Sequence, residues 1–155
     1  MSCARAAPLL DHAGIAALVP HAGNMCLLHE LIGWDETHID CLAISHRDIT
    51  NPLRSAHGLP ATAAIEYAGQ AMALHGALLA QTHGATMRPG MLASARSVEL
   101  NRLRLDDLTG ELRVSAERLA GDERQILYRF EVVHAGEPVV SGRAAVVLEL
   151  AGVDR

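Results

Sequence analysis

No lysine occurs in the 155-residue chain, so its 13 basic side chains are all arginine, and 18 acidic residues leave a formal net charge of −5. Aromatics are almost as scarce, being Trp34, Tyr67, Tyr128 and Phe130 alone. With no cationic stripe and few rings on which bases could stack, no nucleic-acid partner is expected. The 3 cysteines, Cys3, Cys26 and Cys41, are odd in number and show no CxxC spacing. The latter two fall in apolar runs, which points to buried free thiols rather than disulfides or a zinc site. Although there are 9 histidines, none stands in an HExxH or other ligand spacing, so no metal is expected. The N-terminal apolar runs are broken by Pro8, Asp11 and Pro20. They read as neither a secretory signal nor a spanning segment, and a cytoplasmic protein without membrane insertion is the expectation.

Apolar residues make up 50% of the chain, enough for one core, and the expectation is a single domain over residues 1–155 with residues 151–155 as a frayed tail. The stretch that organises it is Asn51–Gln81, NPLRSAHGLPATAAIEYAGQAMALHGALLAQ. Pro60 stands where a first-turn proline is tolerated, and the run from Ala61 to Gln81 is rich in Ala, Leu, Met and Ile without proline, so one long helix is predicted. It is apolar nearly all round, which fits either a membrane span or the wrapped centre of a domain. Two glycines, Gln70, Gln81 and His75 interrupt it and strand patterns flank it, favouring the buried helix.

Around it the chain reads as strands. Asp11 caps a short helix through Leu18; Met25–Trp34 has the length of a buried strand, and Thr37–Ser45 alternates as a second. After Pro89 come Met91–Leu100, Glu111–Leu119, Gln125–His134 and Pro138–Leu150, separated by LDDLTG, AGDER and AGE turns. The fold class is α+β: an antiparallel sheet of about six strands curled around one long central helix.

Glu66 is the only formally charged residue of that helix, and His57 lies on the loop leading into it. Two readings are open. The pair can act as acid and base, since a carboxyl buried among apolar groups rises toward neutrality and can donate a proton that an imidazole elsewhere accepts. Alternatively, Glu66 serves the positive helix N-terminus and His57 is a solvated loop residue.

Several phrases carry a family resemblance. PHAGNMCLLHELIGWD at 20–35, NPLRSAH at 51–57, IEYAGQA at 65–71, RLRLDDL at 102–108 and GRAAVVL at 142–148 resemble the hot-dog fold β-hydroxyacyl-acyl-carrier-protein dehydratases, and the wording is most similar to the branch associated with aryl-polyene pigment synthesis. HGLPA stands where usual members carry a longer Phe-Pro-Gly-rich segment after the histidine. The resemblance implies a dehydratase acting on a 3-hydroxyacyl thioester without a cofactor, with His57 as base, Glu66 as acid, and backbone N–H groups around Gly58, Leu59, Pro60 and Ala61 against the thioester carbonyl. His46, just upstream, is a fallback base.

The resemblance also implies a homodimer or a heterodimer with another hot-dog protein, the two catalytic residues coming from different protomers. The acyl group would ride on the phosphopantetheine of an acidic acyl carrier protein, for which Arg96, Arg102 and Arg104 are the candidate contacts at the tunnel mouth, or else surface arginines paired with Asp106 and Asp107. Met72, Leu74, Leu78 and Leu79 read as core or acyl tunnel. His21, His75 and His83 read as structural or solvated, and His29 has no evident role in an apolar strand. Two alternatives belong to other classes: an acyl thioesterase using Glu66, and a catalytically degenerate subunit of a heteromeric dehydratase.

Overall fold

The computed structural model describes residues 7–21, 23–85, 88 and 90–149; Cys3 and the 151–155 tail lie outside them. A short helix α1 (His12–Ala16) is capped by Asp11, whose side chain accepts from the Gly14 N–H at 2.9 Å. The strands are β1 (Glu30–Trp34), β2 (His38–Ala43), β3 (Gly90–Leu100), β4 (Leu112–Gly121), β5 (Gln125–His134) and β6 (Glu137–Leu148). They form one antiparallel sheet in the order β1-β2-β4-β5-β6-β3. The long helix α2 (Ala64–Thr82) follows a single 3-10 turn at Ala61–Ala63 and lies against this sheet. The expected hot-dog architecture is what the chain adopts.

The first strand is shorter than its apolar run. Its extension fails because the backbone of 25–28 is bonded elsewhere: Leu27 N–H donates to the Gln70 side chain at 2.8 Å, the Gln70 amide donates to the Met25 carbonyl, and Ser45 Oγ donates to the Leu27 carbonyl at 2.8 Å. The segment is thereby stitched to α2 instead of to a neighbouring strand. His29, just before β1, has its side chain 43% exposed, stacks on His12 with ring centroids 6.5 Å apart, and comes within 3.8 Å of Glu30. It is thus outside the strand, which explains a histidine in an apolar run. Cys26 and Cys41 are buried free thiols, as expected; burial pushes both up, Cys41 to about 12.

One face of α2 supplies the core. Tyr67, Ala68, Ala71 and Leu74 are fully buried, against Tyr128 and Phe130 of β5, Val114 and Leu112 of β4 and Ile39 of β2. Two buried polar groups on that face are satisfied. The Tyr67 hydroxyl meets Ser45 Oγ at 2.8 Å and accepts from Asn51 Nδ2 at 3.0 Å, tying the loop after β2 to the helix. His75 Nε2–H donates to the Asp35 carbonyl at 2.8 Å, so neutral Nδ1 accepts from the Tyr128 hydroxyl at 2.8 Å. Burial holds His75 below its ordinary value and pushes Tyr128 up to about 12.

The helix is not wrapped all the way round, however. Glu66 is exposed, and Gly69, Ala73, Gly76 and Ala80 are only half-buried. They recur at helical spacing as a stripe of small residues that the chain's own sheet leaves partly uncovered. Strand β3 pairs only with β6, so its other edge is open among the described residues.

Candidate active site

The segment between the loop and α2 is fixed residue by residue. Ser55 and Gly58 exchange backbone hydrogen bonds at 2.9 and 3.1 Å, closing a tight turn with Ala56 and His57 at its tip. His57 N–H donates to Ser55 Oγ at 3.2 Å. Gly58 has φ +101°, open to glycine at little cost. Beyond it, Leu105 N–H donates to the Leu59 carbonyl and Ala61 N–H to the Leu103 carbonyl, both at 2.9 Å, so residues 59–61 run as a short pair with 103–105.

Asp106 closes this arrangement from beneath. Its side chain is 5% exposed, and Oδ1 accepts from Leu59 N–H at 2.9 Å and from Arg104 Nε at 3.1 Å. Arg104 Nη2 reaches Oδ2 at 2.5 Å and Arg54 Nη2 approaches it at 3.8 Å. The Arg104 guanidinium holds the Asp106 carboxyl well below the usual carboxylate range.

His57 and Glu66 are both exposed, the first on the turn and the second in the first turn of α2. Neither side chain has a hydrogen-bond or ion-pair partner among the described residues, and no such contact joins one to the other. The expectation that Glu66 is buried in apolar surroundings is therefore corrected for the single chain: it projects from the uncovered side of the helix.

The expected backbone donors are also revised. Gly58 N–H is held by the Ser55 carbonyl, Leu59 N–H by Asp106 and Ala61 N–H by the Leu103 carbonyl, while Pro60 has none. Ala63 N–H returns to the Pro60 carbonyl at 3.0 Å. From His57 to Ala63 the one backbone N–H without a partner among the described residues is that of Thr62. Gly58, Pro60 and Ala61 thus build the turn and the helix start. The signal for Thr62 is positional, since the first residues of a helix keep orphan donors, but its number depends on where the preceding residues spend theirs.

His46, the fallback base, is fully buried: Nε2–H donates to the Leu108 carbonyl at 2.9 Å, Nδ1 has no partner among the described residues, and burial lowers its affinity for a proton. It cannot reach a substrate from there. Of the three arginines, Arg104 is spent on Asp106. Arg96 and Arg102 are exposed; Arg96 stands opposite Arg143 on β6, whose neighbour Ala144 faces the core, so Arg96 is on the outer face of the sheet. Met72, Leu74 and Leu78 are core, with Leu79 half-buried beside them.

Comparison with known proteins adds a family and a fold. The family described as ApeP dehydratase has a model that matches residues 13–150. The fold is similar to a chain of the dehydratase heterocomplex ApeI:P from Xenorhabdus doucetiae, with a TM-score of 0.79 at 23% identity, covering 95% of this chain and 94% of that one. It is more distantly similar to thioesterase HI1161 from Haemophilus influenzae, with a TM-score of 0.60 at 11% identity over 81% of each chain. A hypothetical thioesterase with coenzyme A from Streptococcus pneumoniae has a TM-score of 0.56 at 13% identity, over 77% of this chain and 84% of that one. No curated protein sequence matches the chain. Among the described residues no helix is long and apolar enough to cross a membrane.

Proposed function

Because the chain belongs to the ApeP dehydratase family, we propose that it dehydrates a 3-hydroxyacyl thioester carried on acyl carrier protein to the trans-2-enoyl thioester, in aryl-polyene or fatty-acid-like synthesis. The observation that carries this reading is the state of His57 and Glu66: an imidazole and a carboxyl, both exposed and unpartnered among the described residues, one before and one after a free helix-start N–H in the chain. His57 takes the proton α to the thioester carbonyl. The Thr62 N–H donates to the carbonyl oxygen as negative charge gathers there. Glu66 is the acid that gives a proton to the departing hydroxyl; the carbon–oxygen bond breaks, a double bond forms between the α and β carbons, and one water leaves. The proton on His57 returns the pair to its starting state, and no cofactor takes part.

An exposed pair is a poor place to stabilise an enolate, because bulk water competes with every donor. A second hot-dog chain supplies the missing cover. Strand β3 offers an open edge and α2 an uncovered stripe of small residues, the features that let another sheet and helix approach closely. The partner is a second copy or a different hot-dog chain; the similar Xenorhabdus protein is described as a heterocomplex. Arg96 and Arg102 are the contacts for the acidic carrier.

The second reading, a supporting subunit without its own chemistry, draws on that heterocomplex description. Mass spectrometry of a 3-hydroxyacyl carrier protein incubated with the purified protein, alone and mixed with a second hot-dog dehydratase chain, separates the readings. The proposed function predicts loss of one water with the thioester intact. Release of free acid and carrier thiol would mean a thioesterase; a mixture that dehydrates just as fast when this chain carries His57→Ala or Glu66→Gln would mean a supporting subunit.

A further inference from the structure

His57 stands on a turn whose geometry no apolar packing explains, since its neighbours Ser55 and Ala56 are exposed like itself. What holds it is a carboxylate. Asp106 is nearly buried under Gly58, and a Cβ built on that glycine would lie 2.6 Å from both Asp106 oxygens. The close approach demands glycine there twice over, by space and by φ. The same carboxylate accepts the Leu59 N–H and is gripped by Arg104, while Arg54 Nη2 also approaches its Oδ2. Arg54 precedes His57 in the chain and Leu59 follows it, so Asp106 touches both flanks of the turn that presents the imidazole.

Resting on the reading of His57 as the base, we propose that Asp106 is a positioning residue for it: the carboxylate fixes the Ser55–Gly58 turn against the start of α2 and so sets where the imidazole stands relative to Glu66 and the Thr62 N–H. It does not touch substrate. Its substitution therefore misplaces a proton-transfer group without removing it, and an error of about 1 Å at such a group is worth on the order of 10²-fold in rate.

Asp106→Asn keeps the side-chain shape and an acceptor for Leu59 but gives up the charge that grips both arginines. In the assembled protein it should lower kcat about tenfold or more while leaving KM within about twofold, the signature of an interaction felt at the reacting groups and not in binding. The imidazole resonance of His57, identified by its loss in His57→Ala, should move or broaden in Asp106→Asn while those of His21 and His83 stay in place. Arg104→Ala, which removes an exposed side chain and spares the fold, should move both readouts the same way by a smaller amount, about threefold in kcat. An unchanged kcat in both variants, or a loss of kcat with the His57 resonance unmoved, overturns the proposal. Should His57→Ala prove as fast as wild type, the catalytic assignment fails by itself, and the resonance of His57 in Asp106→Asn still decides whether Asp106 places the side chain.

Discussion

Gly58→Ala puts the packing at the turn to a quantitative test. The new methyl would lie 2.6 Å from the Asp106 carboxylate oxygens, closer than any real carbon contact, at a backbone φ of +101°. Holding a non-glycine residue at positive φ costs roughly 1–2 kcal/mol. Asp106 cannot swing away freely, because it is tethered by the Leu59 N–H and by Arg104. Displacing it gives up a charge-assisted hydrogen bond worth about 1.5–3 kcal/mol. The sum is roughly 2.5–5 kcal/mol, or about 5–20 °C in melting midpoint for a domain of this size. Gly84→Ala is the control: φ is +64° there, with no atom of the described residues within 4 Å of the built Cβ, so only backbone strain of about 1 kcal/mol applies. Urea denaturation at fixed protein concentration measures both. Equal losses for the two variants would refute the reasoning, as would a Gly58→Ala loss unchanged in an Asp106→Ala background, where the clash is gone.

Three further predictions concern the core and the surface. His75→Phe leaves the Asp35 carbonyl and the Tyr128 hydroxyl without their buried partner and should cost about 2–4 kcal/mol in denaturant unfolding. His46 and His75 are held below their ordinary value by burial, so the unfolded chain binds more protons than the folded one under acid conditions. Their contribution is fully present above about pH 6.5 and is lost as pH falls below it, and His75→Phe should shrink the difference in stability between about pH 7.5 and 5.5. Arg96→Ala with Arg102→Ala should raise KM for a carrier-protein substrate and flatten its salt dependence with little change in kcat, read by initial rates at two ionic strengths.

Much of this fold was legible in the sequence because its signals are long. An uncapped apolar run ending near Gly84 and four alternating segments after Pro89 leave few arrangements besides a sheet curled on a helix. The Gln125–His134 strand falls where its pattern places it, and the turn after it is marked by Ala135 and Gly136, both at positive φ. Three things were not legible. Leu27 and Leu28 look like strand, but the Gln70 amide takes the backbone that a neighbouring strand would have used. Glu66 reads as buried because the helix is apolar all round, yet the residues on its own side are small and the chain's own sheet leaves them partly uncovered. The fate of the backbone donors at 58, 59 and 61 depends on residues 103–106, whose pairing with the helix start no local pattern records. His57 and Glu66 stood out by place, one on the loop and the other as the lone charge of the helix, and family wording chose between their two readings; the geometry adds that both are exposed.

The most direct test of the account is the rate of 3-hydroxyacyl thioester dehydration by the assembled protein carrying His57→Ala or Glu66→Gln, against wild type. Each substitution removes one proton-transfer group and should slow dehydration about 10²–10⁴-fold while the protein still folds and assembles. Rates within about threefold of wild type for both variants, where loss of a proton-transfer group predicts at least about 10²-fold, would contradict it and leave this chain a supporting subunit.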